Sequence, residues 1–363
     1  MKKRMLQCLV LATFTFCFSM ITSVTALENN TYKNKVYTQP IQGANSIATL
    51  EKVMIGGTEQ WITIRGEDKN NPILLYLHGG PGNAEMNSNP RFKLLEKRYV
   101  VVNWDQRGSG KSFSPSLKKE TLHVEQYVSD THEMVEMLKK RFGREKIYLA
   151  GHSWGSLLGM LEVKKNPQSF YAYIGIGQFV DVTKGDKIGY DYTLKKAKEV
   201  GNQQAVRELQ AIGAPPYKSF TDFLMYRKWI VQLGGVFYSP TYIQDVMIPD
   251  VQKATEYTED EKENFETGAI TLFTAISPEL PKYNLLEMID QVEVPVYFMT
   301  GRYDHNTPYE LTEQLYQKLK APQKELIWFE KSGHAPNYEE EEKFAEVLNE
   351  HIFSQTFTFT SKK

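Results

Sequence analysis

The sequence predicts an α/β fold, a mostly parallel sheet flanked by helices and interrupted by a mainly helical insertion. Three observations carry this. Residues 73–77 (ILLYL) and 100–104 (VVVNW) are short, almost wholly apolar runs, as strands buried on both faces of a parallel sheet require, and each ends in a polar or glycine-rich loop. Up to about Val180, such runs alternate with stretches whose apolar residues fall at helical spacing. The alternation resumes near Val294, so residues 181–290 read as a helical cap inserted over the carboxyl ends of the strands, where open α/β sheets bind ligands.

Taken in order, the 363 residues begin with Lys2, Lys3 and Arg4, then an apolar run to about Ile21 that ends in Val24-Thr25-Ala26. That is the pattern of a secretory signal peptide over residues 1–26, and it predicts export and cleavage after Ala26. Retention as an uncleaved membrane anchor is the alternative, although the run is short for a span and carries Thr13, Thr15 and Ser19. Cys8 and Cys17 are the two cysteines and both lie inside this segment, so the mature chain has no thiol for disulfides or cysteine catalysis. Cleavage also leaves 40 basic against 44 acidic residues, a balance that gives no field toward nucleic acid or an anionic membrane. A small peptide or small ester is the expected partner.

Residues 27–44 lack a core-forming period and read as a linker. Two β-rich runs between Ile47 and Ile64 flank Gly56-Gly57, a hairpin signal that opens the first part of the core, residues 45–180. Val128, Val135, Leu138 and Phe142 place a helix over about 124–142. A strand at 147–150, a helix at 154–165 and a strand at 171–176 follow. The second part of the core, residues 291–363, holds strands at 294–299 and 326–329 and helices at 308–319 and 337–352.

The chemistry is carried by Gly151-His152-Ser153-Trp154-Gly155, which directly follows one of these strands and directly precedes a helix. This is the context a G-x-S-x-G nucleophile elbow requires: the sharp turn exposes the serine hydroxyl, and the flanking glycines relieve crowding. The motif in this context indicates the α/β-hydrolase fold. A serine hydroxyl is a weak nucleophile at neutral pH, so it needs a base and a third group to orient that base. In this fold the partners follow in the order Ser, acid, His, each after a late strand. His334 after LIWF and Asp304 in Gly301-Arg302-Tyr303-Asp304 fit that order. His305 ranks second as base because no acid-to-His step remains after it. His123, His132, His152 and His351 read as structural or solvent-facing. The oxyanion needs two backbone donors, read as Trp154 and, in His78-Gly79-Gly80-Pro81-Gly82, Gly80 with Gly79 as the alternative.

Two other signals do not hold. Gly110-Lys111-Ser112 resembles the end of a phosphate-binding loop, but Asp105 stands where that loop needs its first glycine. His132-Glu133-Met134-Val135-Glu136 begins like a zinc-protease helix, but Glu136 replaces the second histidine. The sequence therefore calls for no cofactor and no metal.

Taken together, HGGPG (78–82), DQRGSGKS (105–112), GHSWGS (151–156), GRYD (301–304) and SGH (332–334) resemble the proline iminopeptidase (prolyl aminopeptidase) branch of the α/β-hydrolases. The resemblance implies removal of N-terminal residues from peptides, with Ser153, Asp304 and His334 as the triad beneath a helical cap. Aminopeptidase members carry a glutamate directly after a cap tryptophan, whereas here Trp229 is followed by Ile230. Glu266 is the weak candidate for binding the substrate amine, against a solvated helix-face charge. A carboxylic ester or lactone hydrolase with the same triad is the alternative that the missing glutamate raises.

Overall fold

The computed structural model describes residues 36–360. The predicted export segment, residues 1–26, lies outside them. Eight strands form one sheet: β1 (Ile47–Ile55), β2 (Thr58–Gly66), β3 (Ile73–Leu77), β4 (Val100–Asp105), β5 (Ile147–His152), β6 (Phe170–Ile176), β7 (Val296–Gly301) and β8 (Lys324–Phe329). Their order is β1-β2-β4-β3-β5-β6-β7-β8, and only the β1–β2 and β2–β4 pairings are antiparallel. The β1–β2 hairpin turns at Gly56 and Gly57, with φ of 55° and 73°. A two-residue turn with positive φ at both positions matches strand twist, and glycine adopts it without strain.

Side chains alternate between the two faces of each strand. Leu75, Leu77, Val100, Val102 and Leu149 pack on one face against Val128, Val135 and Leu138 of α1 (Val124–Phe142) and Leu157 and Leu158 of α2 (Trp154–Lys165). Leu74, Tyr76, Val101, Tyr148 and Ala150 pack on the other, against Phe92 and the C-terminal Phe344, Leu348 and Ile352. Burial of each such leucine contributes about 1.5–3 kcal/mol. The boundaries of α1 follow from its ends. His123 Nδ1 accepts a hydrogen bond from the Gln126 N–H at the start, and Gly143 closes the helix in the left-handed conformation.

Between β6 and β7 the chain forms the cap helices α3 (Val182–Glu199), α4 (Gln203–Ile212), α5 (Phe220–Gln232) and α6 (Glu259–Ile276). Tyr190, Leu209, Tyr226, Trp229 and Ile230 give the cap a small core of its own. α6 seats it on the loop after β3: a Cβ at Gly82 would lie 2.8 Å from the Ala269 Cα. A second joint is polar. The Tyr257 hydroxyl donates to buried Asp105 at 2.9 Å and accepts from the Met86 N–H at 3.2 Å.

The DQRGSGKS run is thus structural. Arg107 makes a bidentate pair with Asp130 at 2.8 and 2.9 Å and also donates to the Gly56 carbonyl, holding the hairpin turn to α1. Lys111 is paired with Glu261 of α6. Part of the predicted linker is fastened as well, because Arg65 donates to the Thr38 hydroxyl and the Gln39 carbonyl at 2.6 Å. After β7 comes α7 (Tyr309–Lys318). The continuous helix predicted at 337–352 is broken, with short turns at Pro336–Glu339 and Glu341–Glu346. Glu340 between them leaves helical geometry and accepts hydrogen bonds from the Lys331 N–H and the Ser332 hydroxyl.

Candidate active site

Ser153 sits on the turn between β5 and α2 with φ 52° and ψ −116°, the one non-glycine residue of positive φ among the described residues. An L-residue stays there only if its surroundings over-determine it. The Ser153 N–H donates to the Ile176 carbonyl at 2.9 Å, and its carbonyl accepts from the Ser156 hydroxyl at 2.6 Å. Ser156 in turn accepts from the Phe179 N–H at 2.8 Å. The glycines on either side are obligatory. A Cβ on Gly151 would run into the Gly155 carbonyl, and one on Gly155 into the Leu77 carbonyl.

His334 and Asp304 meet as expected from their positions after β8 and β7. His334 Nδ1 lies 2.9 Å from Asp304 Oδ2. The other oxygen, Asp304 Oδ1, accepts from the Asn306 and Thr307 N–H groups at 2.9 Å each, and the Thr307 hydroxyl donates to Oδ2 at 2.8 Å. Burial pushes the Asp304 carboxyl up, but His334 and Thr307 outweigh it and hold the group below its ordinary value. Burial pulls His334 down and Asp304 offsets this only in part, so the imidazole is neutral at pH 7. With Nδ1–H directed at Asp304, Nε2 carries the free lone pair a general base needs.

The loop after β3 comes close to the serine. A Cβ on Gly79 would lie 3.4 Å from Ser153 Cβ and 3.1 Å from His152 Nδ1, so the loop backbone passes close to Ser153 and a side chain there would crowd His152. Buried His78 braces the loop: its Nε2 accepts from the Gln106 N–H at 3.1 Å, which leaves Nδ1 to donate to the Gly79 carbonyl at 2.8 Å. Trp154 is the first residue of α2, so its N–H has no intrahelical acceptor. Its indole donates to Gln106 at 3.0 Å, which fixes this end of the helix to the loop after β4, whose Gln106 side chain also donates to the His78 carbonyl at 3.1 Å.

The other histidines named as candidates have partners of their own. His305 stacks on Tyr192 of the cap, with ring centroids 3.6 Å apart, and its N–H donates to the Gly235 carbonyl. His132 pairs with Glu162, and His351 with Glu325. Glu266 is half-buried on α6, one turn before Ala269. Three contributors escaped the sequence reading. Thr307 holds both Asp304 and His334, and an Asp followed three positions later by Thr is a turn signal that marks it. Gly177 makes room for His334, since a Cβ there would lie 2.9 Å from its Nδ1. Glu339 clamps the His334 loop to the cap, accepting from the Gly333 and Tyr238 N–H groups at 2.7 Å each, and no sequence signal marks it.

A strained serine turn, a buried Asp–His pair and a glycine-rich loop at the ends of this sheet define a serine hydrolase of the α/β-hydrolase fold. The serine aminopeptidase, S33 family model matches residues 68–341, and the chain belongs to that family. It is 33% identical over 308 residues to a probable aminopeptidase, YbaC, of Bacillus subtilis, covering 84% of this chain and 96% of the relative. It is 27% identical over 292 residues to a proline iminopeptidase of Saccharolobus solfataricus, covering 80% and 86%. Among solved structures, a proline iminopeptidase of Mycobacterium smegmatis superposes with a TM-score of 0.62 at 16% identity, covering 85% of this chain and 99% of that one.

Proposed function

We propose that the protein is an exported serine aminopeptidase of proline iminopeptidase type, working through an acyl-enzyme on Ser153. The observation that carries this reading is the Asp304–His334 pair at 2.9 Å beside the strained Ser153 turn, in a chain of the S33 family. Ser153 Oγ attacks the carbonyl of the substrate's N-terminal residue while His334 Nε2 takes its proton. The N–H groups of Trp154 and Gly80, or Gly79, receive the oxyanion. His334 then protonates the departing amine, and water deacylates Ser153 by the same route in reverse. Asp304 keeps its negative charge throughout and stabilises the transient imidazolium.

Release of Pro or Ala from their arylamides, measured beside hydrolysis of short and medium acyl esters, tests the substrate class. Arylamide turnover supports the aminopeptidase reading. The second reading, an ester or lactone hydrolase, draws on Ile230: it is fully buried in the apolar core of the cap and offers no carboxylate for a substrate amine. Ester turnover without arylamide turnover decides for it. Export is tested by mass measurement of the secreted chain, expected to begin at Leu27.

A further inference from the structure

His152 directly precedes the nucleophile, and no step of the proposed reaction uses its side chain. The imidazole is buried between three loops. Its Nε2 lies 2.9 Å from the His334 carbonyl oxygen, which can only accept, so this nitrogen carries a proton. Its Nδ1 lies 3.6 Å from Glu85 Oε1 and has no hydrogen-bond partner among the described residues. Unprotonated, Nδ1 would turn a lone pair toward a carboxylate in a dry setting. Protonated, both nitrogens face an acceptor. The other oxygen of Glu85 accepts from the Tyr76 hydroxyl at 2.7 Å and the Tyr338 hydroxyl at 2.6 Å, donors that favour the ionised carboxylate.

From this geometry we infer that His152 is an imidazolium, paired with Glu85, which positions His334 and tunes its proton affinity. The two imidazole rings are 4.9 Å apart between centroids. A positive charge at that distance disfavours a second one on His334, so the base stays unprotonated to lower pH. Positioning acts on both sides of the base. His152 holds the His334 carbonyl to the elbow, and Tyr338, four residues later, is held to the loop after β3 through Glu85. The other ionisable groups acting on His152 are Asp304, which draws protons to both rings, His78, which also feels Glu85, and the Tyr338 ring at 6.5 Å between centroids. Burial pulls His152 down, but Glu85 and the His334 carbonyl outweigh it and raise its proton affinity.

The inference rests on His334 being the base of the proposed triad, and the experiment separates the two. Nitrogen-15 NMR of the histidine rings needs no turnover, and loss of a signal in His152→Gln assigns His152. In wild type at pH 7 both His152 ring nitrogens are expected to be protonated, and Glu85→Gln is expected to leave a neutral ring. A neutral His152 ring in wild type at pH 7 overturns the inference. In kinetics, His152→Gln keeps an amide donor and drops the charge, so the acid limb of kcat/KM is expected to rise by about one pH unit. A limb coincident with wild type, in protein with an unchanged circular dichroism spectrum, also overturns it. Full turnover by His334→Gln would remove the triad, and with it the tuning role, whatever the protonation of His152.

Discussion

At the elbow, Gly155 of α2 leaves no room for a methyl group against the Leu77 carbonyl; in the cap, Gly189 is also held close, against the His305 carbonyl, while around Gly201, Gly213 and Gly234 nothing lies within 4 Å of where a Cβ would stand. The ion pairs differ in the same sense. Arg107–Asp130 in the core is almost wholly buried, at 2% and 0% exposure, while Lys228–Glu208 in the cap retains 21% and 28%. The serine turn is fixed by close backbone contacts, and the core beneath the cap by a buried charge pair. The region that roofs it is held by a smaller apolar cluster and wetter pairs. Under the proposed function, this division lets the scaffold keep a single reaction while the cap sets the substrate.

Substitutions on each side of this division should differ by orders of magnitude. Ser153→Ala is expected to remove about 10⁶-fold of kcat with folding intact. Asp304→Asn should cost about 10⁴-fold, because Nδ1 of His334 loses the acceptor that fixes its tautomer. Activity close to wild type in Asp304→Asn would mean that another carboxylate orients the base.

Stability sharpens the contrast further. Asp130→Ala strands Arg107 in the core and is expected to cost about 3–5 kcal/mol in denaturant unfolding. Glu208→Ala in the cap removes a partly exposed pair and the acceptor of the Trp229 indole and is expected to cost about 1–2 kcal/mol. Equal losses would show that cap and core are equally constrained.

The smallest expected effect is on pH. His334 must be neutral to act, and its proton affinity is lowered, so the acid limb of kcat/KM is expected below the ordinary histidine value of about 6.5. A limb above that value would indicate a base less buried than His334.

The same division governs how much the sequence reveals. The elbow, its glycines and the positions of Asp304 and His334 are legible because each depends on a local turn next to a strand. Helix α1 is legible from the helical spacing of Val128, Val135, Leu138 and Phe142. His152 is not, because its partner Glu85 comes from a different loop and only the folded sheet brings them together. Glu339 reads as a helix residue, yet its carboxylate leaves the helix surface to hold the His334 loop and the cap. The cap gives few signals: it contains a π-helical turn at Ile243–Met247 and packs through aromatic contacts such as Phe223–Phe273, which no periodicity announces.

The central claim, that Ser153 is the nucleophile, is tested most directly by reaction with a fluorophosphonate followed by mass mapping of the adduct. One adduct on the peptide containing Ser153, absent from Ser153→Ala, is the predicted result. Folded wild-type protein that resists the reagent, or carries the label on another residue, would contradict it.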